Sequence, residues 1–165
     1  MLDAYPVLQK WAAWSIGVFC AVVFLDSLRF KFSDHPKTQQ IFGRLDAWAG
    51  SHGARGLFAR TGLFSQYAIG GAELVASALM LTGLFVPPLR FLVAPGAMLG
   101  LGVMSGAVGF HLFTPLGIDP NRDGGGLFRA ACLVWMGCLA LLVLRWDDVR
   151  MFVDKAHVFL APVAG

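Results

Sequence analysis

The sequence predicts an all-α protein: a transmembrane four-helix bundle with a short interfacial amphipathic helix between its first and second spans. Composition is the first observation, since 57% of the residues are hydrophobic and only 14% charged, against about 25% charged in soluble domains. The second is that four apolar stretches approach the roughly 20 residues that cross a bilayer core of about 30 Å. The third is the brevity of the later connections, which makes successive spans antiparallel neighbours. The chain is expected to form one integral membrane domain over residues 1–165, with no room for a second soluble domain.

The spans fall at about 11–30, 63–86, 90–114 and 127–146. In the first, the unbroken apolar run from Trp11 to Leu25 has the length of a signal-peptide core. Asp26, Ser27, Leu28 and Arg29 stand where a small-residue cleavage site would be needed, so a retained helix is expected. Between spans one and two, "SDHPKTQQIFGRLDAWAG" puts Asp34 or His35 near a cap, Pro36 in a first turn, and Ile41, Leu45 and Trp48 on one face. This is the interfacial helix, at about 36–49. "VPPLR" links spans two and three, and "TPLGIDPNRDGGG" links three and four.

The net charge of +3 comes from dispersed cations, not from a basic block, and no nucleic-acid partner is expected. Cations near the span ends favour the side carrying the two loops, with Arg29, Lys31, Lys37, Arg44, Arg55, Arg60, Arg122 and Arg129. The opposite side has Lys10, Arg90, Arg145, Arg150 and Lys155. A raw positive-inside count therefore places the loops in the cytoplasm.

An ionisable group inside a span costs about 2.5–3.5 kcal/mol on insertion scales and faces protein or water. Glu73 is the deepest here, and Gln66, Gly70, Glu73 and Ser77 follow i, i+4, i+7, i+11 spacing on one side of span two. Asp26 and Arg29 close span one, His111 ends span three, and Arg129 opens span four, all on the loop side. These five are the candidate ligand-binding residues. Three readings stay open: a network that holds the helices in register, a pocket for a quinone or lipid, or a proton or ion path. A quinone's carbonyl oxygens suit a histidine or arginine donor at this depth, with a carboxylate to relay protons. Membrane lipids are partners in any of these readings.

Other chemistries fit less well. His111 is the one histidine in a span, whereas paired haem ligation needs two. Cys132 and Cys138 lie about 9 Å apart along a helix and Cys20 is on span one, which suits buried apolar thiols. No zinc spacing is present, and no covalent cofactor is expected. "DPNRDG" matches half of a calcium loop through Asp119, Asn121 and Asp123, but Ala130 stands where its bidentate glutamate belongs. A tight turn explains the same letters. On span three, Gly96 with Gly100 and Gly102 with Gly106 repeat at the four-residue spacing that lets helices pack closely, within one bundle or against another protein.

"GGAELVASALMLTGL", "LTGLFVPPLR", "GFHLFTPLGI" and the charged "RFKF" after span one together resemble the DoxX-like family of four-helix bacterial inner-membrane proteins. The resemblance covers most of the chain. It implies a bacterial inner (cytoplasmic) membrane location with both termini in the cytoplasm, opposite to the raw charge count. Some relatives are linked to thiosulfate:quinone oxidoreduction or redox stress, and many have no assigned activity. Two functions are carried forward. One is an accessory or structural subunit packed against a larger respiratory, photosynthetic or other redox membrane complex, with bound quinone or lipid. The other is a quinone-linked oxidoreductase component using Glu73 and His111, with Arg29 or Arg129 as anchors. Whether the chain is an enzyme stays open.

Overall fold

The computed structural model describes residues 4–122 and 124–160, with side chains from residue 7 onward. Among the described residues six α-helices follow one another: α1 (Ala4–Phe32), α2 (Pro36–Ser51), α3 (Gln66–Phe85), α4 (Val93–Phe113), α5 (Gly126–Leu144) and α6 (Trp146–Leu160), with a 3₁₀ turn over Pro87–Leu92 before α4. Helices α1, α3, α4 and α5 contain the four segments long and apolar enough to cross a membrane. The chain is thus a multi-pass, all-α membrane protein.

The four long helices close into a ring, with α1 against α3, α3 against α4, α4 against α5, and α5 back against α1. The short links from α3 to α4 and from α4 to α5, with the longer return through α2 between α1 and α3, give the up-down-up-down bundle that the connections predict. Its centre is small and soft: Ala13, Cys20, Phe24, Ala76, Met80, Ala97, Val134, Cys138 and Leu141 are all at most 1% exposed. Only 22–33% of each span's most apolar window is buried inside the bundle, while Val22, Leu74, Val75, Leu133, Met136 and Val143 point outward. In water that surface would drive aggregation, whereas in lipid it is ordinary solvent contact.

Close helix contact requires glycine at particular places. A Cβ on Gly96 would lie 2.9 Å from the Met80 amide nitrogen and 3.0 Å from the Ala76 carbonyl oxygen, and one on Gly100 would lie 2.9 Å from Cys138 Sγ. Pro95 falls in the first turn of α4, where its missing N–H would have had no helical partner.

Helix α2 starts as expected, with Pro36 at its first position and His35, of the two cap candidates, accepting from the Lys37 amide. Its apolar face is covered by the chain itself. Leu45 and Ala49 form a satellite core with Phe58 and Leu116, and Ile41, Phe42, Trp48 and Phe110 pack around it. The segment 52–65 is tied down by Asp46, whose Oδ1 accepts from the amides of Gly56 at 3.0 Å and Phe58 at 3.1 Å.

Helix α6 was not expected from the sequence. It packs on the 3₁₀ turn and α4, and Asp148, 2% exposed, anchors it by pairing with Arg145 and with Arg90 at 3.2 Å.

Candidate functional site

Glu73 is the deepest ionisable group, seven residues or about 10 Å into α3, and it is only 2% exposed. Its carboxylate is fully engaged by α1. Lys31 Nζ donates to Oε1 at 3.0 Å and Oε2 at 2.8 Å, and Ser27 Oγ lies 2.5 Å from Oε2. Lys31 also reaches Ser27 Oγ at 3.1 Å. The lysine stem crosses α3 at Gly70, where a Cβ would lie 3.4 Å from Lys31 Cδ and 3.3 Å from Phe32 Cζ. The predicted stripe of Gln66, Gly70, Glu73 and Ser77 is buried along its whole length.

One turn nearer the loops, the network continues. Gln66 Nε2 donates to the Lys31 carbonyl and to Asp34 Oδ1, both at 2.7 Å, and its Oε1 accepts from Gln39 Nε2 at 2.7 Å. Asp34, which tolerates a left-handed backbone at φ 54°, also accepts from the Tyr67 hydroxyl and from Arg60 Nη2 at 2.5 Å. The Tyr67 hydrogen bond, followed by the Arg60 charge, holds the Asp34 carboxyl below its ordinary range despite the opposing effect of desolvation. The same partners raise the Arg60 guanidinium above its usual value. A ladder of polar groups thus runs from Glu73 to the loop surface and joins α1, α2, α3 and the segment before α3.

The other candidate residues stand apart from this ladder. Asp26 and Arg29 pair with each other at 2.6 Å on an exposed face of α1, with side chains 55% and 70% exposed. His111 is buried, but its Nδ1 donates to the Gly117 carbonyl at 2.6 Å and its ring meets the edge of Phe128. It closes the connection between α4 and α5. Arg129 is exposed in the first turn of α5. No hydrogen bond or ion pair among the described residues joins Glu73 to Asp26, Arg29, His111 or Arg129.

Comparison with protein-family models, with curated proteins and with solved structures found no match. Functional inference therefore rests on the geometry of this chain.

Sequence reasoning missed Ser27, Lys31, Asp34, Arg60 and Tyr67. Cutting span one at residue 30 left Lys31 in the loop. Yet Cys20, Phe24, Ser27 and Lys31 carry the same i, i+4, i+7, i+11 spacing that exposed the stripe on α3. That spacing also explains Asp26 and Arg29, which fall on the opposite side of α1 beside the exposed Val22.

The calcium half-motif behaves as a turn. Asp119 Oδ2 accepts from the Gly124 amide at 3.2 Å and its carbonyl from the Arg122 amide, while Asp123 lies outside the described residues. Cys20 Sγ on α1 donates to the Val134 carbonyl on α5 at 3.9 Å, so a buried thiol joins these two helices at the centre of the bundle. The glycine repeat divides into two functions. Gly96 and Gly100 are consumed inside the bundle, whereas a Cβ on Gly102 or Gly109 would meet nothing within 4 Å, and one on Gly106 only Phe110 at 3.8 Å.

Proposed function

We propose that this chain is a DoxX-like accessory subunit of a bacterial inner membrane, with both termini in the cytoplasm, that docks against a larger redox membrane complex. The carrying observation is the outward face of α4. Met98, Gly102, Ser105, Gly109 and Leu112 follow i, i+4, i+7, i+11, i+14 and form a flat seam with a narrow backbone, open where side chains would stand. Trp135 of α5 borders it, donating from Nε1 to Ser105 Oγ at 2.9 Å. In lipid, where apolar contact alone gives helices little reason to associate, close backbone approach along such a seam supplies the packing.

The quinone-linked alternative draws on Glu73 and His111. Glu73 spends both carboxylate oxygens on Lys31 and Ser27, and His111 spends Nδ1 on Gly117, which favours a role in holding helices and loop. Lipid or quinone bound elsewhere is compatible with the accessory role. Gentle extraction from native membrane followed by native mass spectrometry separates the two readings. Recovery in fixed stoichiometry with a larger membrane complex supports the accessory role. Isolated bundles retaining quinone, and losing it on Glu73→Gln, contradict it.

A further inference from the structure

On the loop side of the bundle, α2 and the α4–α5 connection flank an open cavity of about 280 Å³ lined by Lys37, Gln40, Arg44, Pro120, Asn121 and Arg122. That is near the lower bound of about 300 Å³ for small-ligand pockets. Lys37, Gln40 and Arg44 occur at i, i+3 and i+7 and so share one face of α2, beside the face used in the satellite core. Arg122 comes from the facing loop, with a left-handed backbone at φ 55° that residues other than glycine seldom adopt. The Asp119 turn holds it there. Three cations thus line one small cavity, and none of them forms an ion pair with a described residue. By contrast, Arg60 and Lys31, nearby on the same side, are both paired. Within the wall, Asn121 Oδ1 is buried with no hydrogen-bond donor, and such an orphaned acceptor calls for a specific explanation.

We infer that this cavity binds a phosphate group, with Lys37, Arg44 and Arg122 on its oxygens and Asn121 Oδ1 accepting from an adjoining hydroxyl or ammonium. Guanidinium and ammonium donors match phosphate oxygens in charge and geometry. The group can come from a phospholipid headgroup, since α2 follows directly from the membrane-spanning α1, or from a free phosphate on the aqueous side. Basic clusters beside a membrane helix draw anionic lipid in this way. The inference is independent of any partner on α4.

The test uses the full chain in phosphatidylcholine nanodiscs doped with phosphatidylglycerol, and in phosphate-free detergent titrated with inorganic phosphate. Lys37→Gln, Arg44→Gln, Arg122→Gln and the triple variant are compared with Arg55→Gln, a loop cation outside the cavity. These positions are exposed, so helicity and elution volume should match the wild type. Each cavity variant is expected to weaken phosphatidylglycerol retention in native mass spectrometry about fivefold, and the triple variant about a hundredfold, with Arg55→Gln unchanged. A lipid source predicts that Asn121→Leu lowers retention further while inorganic phosphate shifts nothing. A free-phosphate source predicts chemical-shift changes at Arg122 and Arg44 on inorganic phosphate addition, absent in the triple variant. If the triple variant retains phosphatidylglycerol like the wild type and the wild type ignores inorganic phosphate, the inference is overturned.

Discussion

Lys31, in the last turn of α1, straddles both carboxylate oxygens of Glu73 on α3, at 3.0 and 2.8 Å. The pair ties two spans together where the Glu73 side chain is 3% and the Lys31 side chain 16% exposed. A buried pair adds little compared with well-packed apolar residues, but removing one partner leaves the other charge stranded.

Lys31→Met is therefore expected to destabilise the bundle by about 3 kcal/mol, at the lower end for a broken buried pair because Lys31 lies near the helix end. The double variant Lys31→Met/Glu73→Leu should recover most of that loss. Unfolding in mixed micelles across this cycle measures the coupling, and simple additivity of the two single changes would contradict it.

Asp34 gives the loop end a defined pH dependence. Its carboxyl is held below the ordinary range, first by the Tyr67 hydroxyl and then by Arg60. Its contribution should be complete above the unfolded value of about 3.9 and lost as pH falls through the lower folded value. Tyr67→Phe should move that loss to higher pH. Carboxyl-carbon NMR titration of Asp34 in both proteins reads the shift, and identical curves would count against the network.

His111 acts on the loop. His111→Ala removes the hydrogen bond to Gly117, worth about 1 kcal/mol, so amide exchange across 114–122 should quicken about fivefold while the Glu73 end of α3 is unchanged. Exchange that rises equally around Glu73 would instead couple His111 to the ladder.

The sequence showed the four spans clearly because length and apolarity suffice to mark them. The inward stripe on α3 was also legible, since Glu73 is too costly to face lipid. Side-chain convergence was harder to read. Asp26, Arg29 and Arg129 lie at the correct end of the bundle but on exposed surfaces, and proximity along the membrane normal carries no information about rotation around each helix. Helix α6 was overlooked because its 15 residues mix Asp147, Asp148, Arg150 and Asp154 with apolar groups, and its anchor is tertiary, in Arg90 and Arg145. The glycine repeat looked uniform in sequence, and only the packing separates its inner pair from its outer face.

That separation has a direct consequence. Gly96→Leu must displace the backbone of α3 and is expected to cost about 2–3 kcal/mol through overpacking. Gly102→Leu meets open space and should leave folding and thermal stability unchanged. Size exclusion and thermal melts of the two variants check the contrast, and equal losses would contradict it.

The proposed docking role is tested most directly by photo-crosslinking in native membranes, with a benzophenone residue placed at Gly102 on the open seam or at Leu74 on the lipid-facing side of α3. Position 102 should yield one discrete cross-link to another membrane protein, abolished by Gly109→Leu in the same seam, and position 74 should label lipid alone. Lipid labelling at both positions would contradict the account.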